Sequence, residues 1–139
     1  MEQALQVFIA DSFQFLIKQG KPSMSLDLHC AYRGAEGRKW GIGSHIPDEL
    51  YQLKMEHKTS AQLFKLWKEV SVAIMKKYGI ENFEEFNQIC TTLQDIHDDI
   101  STNGEGAVFT EETLLQATKA RPDVDFEPAW EILNSRKTN

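Results

Sequence analysis

Residues 26–42 read LDLHCAYRGAEGRKWGI, and how this stretch folds decides the class of the whole chain. Leu26, Leu28, Cys30 and Tyr32 share one parity against Asp27, His29, Ala31 and Arg33, the period-two pattern of a strand with one buried face. Gly34-Ala35-Glu36-Gly37 then reads as a turn and residues 38–42 as a return strand, with Gly41 and Gly43 allowing bulges or close backbone approach. Two strands alone are marginal in water, so such a hairpin has to lie on the helices around it.

Those helices are written on either side. Upstream, Leu5, Phe8, Ile9, Phe13 and Leu16 recur at three- and four-residue steps, which predicts a helix over 3–19 stopped by Gly20 and Pro22. Downstream, Ser44-His45-Ile46-Pro47-Asp48-Glu49 reads as a helix start, with proline in the first turn and two carboxylates at the positive end, leading to a short helix ending near 51–53. Leu63, Leu66, Trp67, Val70, Ile74 and Tyr78 form one stripe of a long helix over 60–78, closed by Gly79. Asn82 caps the next, whose stripe is Phe86, Ile89, Cys90, Leu93, Ile96 or His97, and Ile100; so short a connection predicts an antiparallel helical hairpin. A polar loop at 101–107, a short helix opened by Thr110 and ending before Pro122, and a last helix over about 125–134 anchored by Trp130 complete the chain. The expectation is therefore a single α+β domain over 1–139, predominantly helical, a bundle of about five helices with one short β-hairpin packed on it.

With 139 residues, 41 % hydrophobic and 26 % charged, the chain can bury a core without disulfide or metal staples. The apolar run from Val7 to Ile17 is broken by Asp11, Ser12 and Gln14 and is too short to span a bilayer, and Met1-Glu2-Gln3 lacks a basic leader. Cys30 and Cys90 lie far apart with no C-x-x-C partner, which fits free thiols in a reducing, cytoplasmic compartment. A net charge of −6 argues against a broad nucleic-acid footprint. That charge is uneven: residues 81–131 carry about a dozen acids against Lys119 and Arg121, whereas Lys65, Lys68, Lys76 and Lys77 make the first part mildly basic. One end of the folded chain is thus expected to be strongly negative, either for solubility or to imitate nucleic-acid phosphates.

No phosphate loop, H-E-x-x-H, paired C-x-x-C or G-x-S-x-G elbow occurs, so no complete catalytic motif and no cofactor is implied. The polar groups worth weighing are His29, Tyr32, Arg33, Lys39, His45, Asp48, Glu49, His97 and Asp98, because several come from the hairpin and the helix start after it. Arg33 or Lys39 beside a helix N-terminus could hold a phosphate or carboxylate; equally, Arg33 could tie the hairpin down while Asp48 and Glu49 only stabilise a helix end. His97 falls four positions after Leu93 and seven after Cys90, on or beside the buried stripe, where a satisfied core histidine is favoured over a general base. With His45 and Asp48 it could make a two-histidine, one-carboxylate metal set, although no spacing enforces one.

The segments Cys30-Ala31-Tyr32-Arg33-Gly34 and Gly37-Arg38-Lys39-Trp40-Gly41-Ile42-Gly43-Ser44-His45-Ile46-Pro47-Asp48-Glu49-Leu50-Tyr51, with Met55-Glu56 beyond, resemble a group of small uncharacterised proteins of tailed bacteriophages and prophages. Their signature is a tyrosine-arginine-glycine turn, a lysine-cysteine, a small-residue run to a second cysteine, then isoleucine-proline-aspartate-glutamate; Leu93-Gln94 and His97-Asp98 are similar to a later pair. The match covers under a third of the chain. Trp40 and Ser44 stand where the pattern has its cysteines, so no metal or redox role carries over from them.

Two functions follow as expectations. The first is a phage-type accessory protein that binds a host macromolecule, for host takeover or anti-defence, through its acidic end or the hairpin edge. The second is a small-ligand protein, binding a nucleotide or other anion or acting as a weak hydrolase, with Tyr32, Arg33, Lys39, His45, Asp48 and Glu49 lining a pocket closed by His97 and Asp98. Direct nucleic-acid binding through the lysines of 65–77 is disfavoured by the overall acidity.

Overall fold

In the computed structural model the described residues are 1–21, 23, 32–34, 37–39, 41–101 and 108–137. They form seven α-helices: α1 (Gln3–Gln19), α2 (Gly41–His45), α3 (Ser60–Leu66), α4 (Lys68–Tyr78), α5 (Phe83–Ser101), α6 (Glu111–Lys119) and α7 (Glu127–Lys137). A single 3₁₀ turn, Leu53–Met55, lies between α2 and α3. Among the described residues no helix is long and apolar enough to cross a membrane.

The expected α+β class is overturned, because the described residues contain no β-strand. What remains of the hairpin is one antiparallel bridge between Arg33 and Lys39, with the Gly34 N–H donating to the Arg38 carbonyl at 2.8 Å. Leu26, Leu28 and Cys30 of the first strand, Ala35 and Glu36 of the turn, and 102–107 of the polar loop lie outside the described residues. The end of the return strand is taken over by α2, and buried Ile42 within it and Ile46 just after it are four residues apart, a helical step rather than an alternating one. The physical reason sits at Gly43: a Cβ there would overlap the Tyr32 carbonyl oxygen and stand 2.8 Å from its carbonyl carbon. Helical coiling lets this backbone lie directly on the Tyr32 peptide, a close approach that a pleated pair at 4.7–4.9 Å does not make.

The short helix expected to start within 44–49 and to end near 51–53 is also corrected. Here α2 ends at His45, and residues after it make one uncontinued turn in which the Leu50 and Tyr51 N–H groups donate to the Pro47 carbonyl. Gln52 is extended, at φ −135° and ψ 144°, so the coil cannot propagate.

The long helix over 60–78 is two. Trp67, at φ −124° and ψ 74°, breaks it. The break re-aims the two halves. Phe64 of α3 stacks on Phe86 of α5 at 5.3 Å, while Tyr78 of α4 meets Phe8 of α1 edge-on at 5.4 Å. An unbroken stripe would have buried Leu66, which is 60 % exposed, and left Phe64 unused. Consequently α3, rather than the whole 60–78 segment, supplies the main packing on α5, and α4 turns to α1.

Elsewhere periodicity and capping chemistry agree with the fold. The Gly20 N–H donates to Leu16 O at 2.9 Å to close α1, Gly79 takes φ +77° to close α4, and Asn82 Oδ1 accepts from Glu85 N at 3.1 Å to open α5. Thr110 and Thr113 cap α6 reciprocally, and α7 is anchored by Trp130 stacked on Phe13 with ring centroids 5.0 Å apart. The aromatic side chains of α1 thus face α4, α5 and α7 at once, and one continuous core joins all seven helices.

Candidate functional site

The candidate polar residues separate into three groups. The first gathers Arg33, Lys39 and Asp48. Arg33 donates from one guanidinium nitrogen to Ile46 O and to Asp48 Oδ1, both at 2.8 Å, and lies over the Tyr51 ring at 4.4 Å. Its Nε is buried without an acceptor. Lys39 Nζ stands 3.9 Å from the same Asp48 oxygen. Glu49 is exposed and joins none of these contacts.

Glu56 holds this group in place. Its Oε1 accepts from Tyr32 N at 2.9 Å, its Oε2 from Arg33 N at 3.1 Å, and the Tyr51 hydroxyl donates to Oε2 as well. A carboxylate that answers two successive backbone N–H groups pins the bridge segment to the loop before α3. Burial, followed by the bond to Glu56, keeps the Tyr51 hydroxyl protonated far above the ordinary tyrosine range. Glu56→Gln would turn an amide NH₂ toward a backbone N–H; the expected loss is about 2 kcal/mol of unfolding free energy, read from urea denaturation. An unchanged midpoint would mean the clip is not formed.

The second group contains Tyr32, His97 and Asp98. His97 is fully buried, stacked on Phe109 at 5.4 Å, and its Nε2 accepts the Ser23 N–H at 3.2 Å while Nδ1 faces Asp98 Oδ1 at 3.3 Å. An Nε2 that accepts is unprotonated, so the ring is neutral with its proton on Nδ1, directed to Asp98. Burial lowers its proton affinity and Asp98 only partly restores it. The Tyr32 hydroxyl donates to Lys58 O at 2.6 Å; burial, then the charges of Glu56 and Asp98, raise its pKa. These contacts tie the chain after α1 and the segment before α6 onto α5, and the bridge segment to the loop before α3. His97 is a structural tie that does not reach a surface, and it does not border the groove that Asp48 lines.

The third group is centred on His45 and was only partly legible in the sequence. His45 Nε2 lies 2.9 Å from Ser12 Oγ, Ser12 Oγ donates to Phe8 O at 2.9 Å, and Tyr78 donates to Asp11 Oδ2 at 2.8 Å with His45 Nδ1 at 3.5 Å. Arg136 of α7 pairs with the other oxygen of Asp11. Because the Ser12 proton is already given to Phe8, Nε2 is the donor to Ser12, the reverse of what nucleophile activation requires. Ser12 is also wholly buried, beyond reach of a substrate. Burial, with Lys77 adding and Asp11 opposing, pushes the His45 pKa down to about 4. No spacing links Asp11 and Ser12 of α1 to Tyr78 of α4 and Arg136 of α7, so the sequence does not group them.

Two concavities frame these groups. One, of about 370 Å³, runs between the Lys39–Asp48 segment and α4 and is bordered by Lys39, His45, Asp48 and Lys77. The other, about 730 Å³, lies between α5 and the turn after α6, where Glu85, Asp95, Asp123 and Asp125 surround Arg121. Arg121 is itself engaged, at 2.7 Å from Asp99 and 3.9 Å from Asp95. His97 is not among the residues bordering the groove that His45 and Asp48 line, and among the described residues no set of three or more His, Cys, Asp or Glu side chains is placed to hold a metal ion. No protein-family model, curated protein or solved structure matches this chain.

Proposed function

We propose that the chain is an accessory protein of phage or prophage type that acts by binding a host macromolecule, in host takeover or anti-defence, and that the acidic cleft beside α5 is its contact face. The observation that carries this reading is the cleft of about 730 Å³, in which Glu85, Asp95, Asp123 and Asp125 outnumber an Arg121 already held by Asp95 and Asp99. Uncompensated carboxylates around a concavity set up a field that draws a basic protein surface and speeds encounter. The phage setting rests on the signature at 30–51. The internally engaged state of His45, His97 and Ser12 supports recognition over turnover, because the groups best suited to proton transfer hold helices together.

The test is capture from bacterial lysate on immobilised protein, comparing the native chain with an Asp95→Lys/Asp123→Lys variant. A host protein retained by the native chain should be lost at least about tenfold in the variant, and also at about 0.5 M salt, where screening shortens the reach of exposed charges. Retention that ignores both changes would reject the acidic cleft as the contact face.

A further inference from the structure

The groove between the Lys39–Asp48 segment and α4 lies away from the acidic cleft and has the opposite character. Lys39 and Lys77 border it against one carboxylate, Asp48, which Arg33 also holds, so the groove is locally cationic in a chain whose net charge is −6. The nearby Asp11 is already neutralised by Arg136 and accepts from Tyr78. His45 at the groove wall is neutral at physiological pH and neither attracts nor repels.

The cations of this groove are under-used. Lys39 is two-thirds buried, yet its Nζ meets only Asp48, at a distance beyond hydrogen-bond range. Lys77 has no carboxylate within ion-pair reach among the described residues; its Nζ lies 5.7 Å from the Tyr78 ring centroid. Asp48, by contrast, is an exposed carboxylate held by Arg33 at 2.8 Å. It occupies the position of an oxyanion at the rim, and an exposed pair of this kind opens at little cost. Below the cations the wall is apolar, formed by Pro47, Ile74 and Ala73.

We propose that this groove binds a phosphate dianion, free or esterified, with Lys39 and Lys77 as its anchors and Asp48 as the resident carboxylate that the ligand displaces. With Asp48 displaced, the two ammonium groups of Lys39 and Lys77 match the charge of a dianion, whose oxygens accept from ammonium donors. The apolar wall favours an ester with a small hydrophobic body. A volume of about 370 Å³ admits one such molecule, and the acidity of the rest of the chain turns away a long polyanion. The site is independent of the acidic cleft, so its failure would leave the macromolecular reading untouched, and the reverse holds.

The test is a titration of isotope-labelled full chain with phenyl phosphate and, separately, inorganic phosphate, followed by amide chemical shifts at low ionic strength. The expected result is saturable shifts confined to Lys39, Ser44, His45 and Lys77. Lys39→Gln and Lys77→Gln should each weaken binding by about tenfold, and Asp48→Asn should tighten it several-fold. Tighter binding of phenyl phosphate identifies an ester as the ligand; equal binding identifies free phosphate. The proposal is overturned if neither probe gives saturable shifts, if the shifts spread equally over Lys65 and Lys68, or if Asp48→Asn leaves affinity unchanged. Should Lys39→Gln disturb the fold, which its amide spectrum reports directly, Lys77→Gln on the opposite wall carries the same comparison.

Discussion

Gly43→Ala should destabilise the chain by about 3 kcal/mol, the upper end of what one added methyl group costs in a packed interior. The added carbon would overlap the Tyr32 carbonyl oxygen, and both sides of the contact are backbone, so no rotamer change relieves it. Either α2 must lift from the bridge segment, exposing Ile42 and Ile46, or the Tyr32 peptide must move and release Glu56 from its two N–H donors. Gly79→Ala is the control. Gly79 needs φ +77° but has nothing within 4 Å of where a Cβ would stand, so its cost is the left-handed conformation alone, about 1 kcal/mol. Urea denaturation of both variants should rank Gly43→Ala well below Gly79→Ala. Equal losses would show that the helix does not rest on the Tyr32 peptide.

Acid should unfold the protein well before its carboxylates are all protonated. His45 takes a proton at about pH 6.5 in the unfolded chain but only near pH 4 in the folded one, chiefly because it is buried against Phe8, with Lys77 beside it. Between those values the unfolded state binds the extra proton. The stability that the neutral ring contributes is therefore complete above pH 6.5 and is lost progressively as pH falls to 4, by about 3 kcal/mol in all. His97 acts in the same direction, since burial lowers its proton affinity too. The groups facing His45 are Asp11 and Ser12 from α1, Tyr78 and Lys77 from α4, and, through Asp11, Arg136 from α7. Protonation would set a second positive charge near Lys77 in a space with one shared carboxylate, so the contacts among α1, α2 and α4 should loosen first. Urea midpoints at pH 7, 5.5 and 4.5 would read the effect. His45→Gln keeps a donor for Ser12 without titrating; it should be less stable at pH 7 but flatter with pH. A native chain equally stable at pH 7 and 4.5 would refute the assignment.

The candidate site was legible residue by residue but not as an arrangement. Arg33 and Lys39 do meet at Asp48, and Lys39, His45 and Asp48 border one groove, because all lie within a short stretch that the Arg33–Lys39 bridge and α2 fold back. His97 was placed correctly on the buried stripe of α5, and burial is what removes it from that region: its ring is used up by Ser23, Asp98 and Phe109. Lys77 could not be assigned to the groove from its spacing, since it belongs to α4, far along the chain from the Lys39–Asp48 wall.

What the amino-acid order determined by itself is the set of elements whose signal is local. The apolar steps of α1 and α5, the Gly20 and Gly79 stops, and the caps at Asn82 and Thr110 each depend on residues within a few positions of one another, and each is where the sequence puts it. What tertiary structure decided is the fate of the glycine-rich stretch and of the 60–78 helix. Residues 41–45 carry no strong preference of their own, so contact of Gly43 with the Tyr32 peptide and burial of Ile42 select a helix there. A stripe that could bury either Leu66 or Phe64 is resolved only when both α1 and α5 are present to be covered. One straight helix cannot face both, so the backbone turns at Trp67.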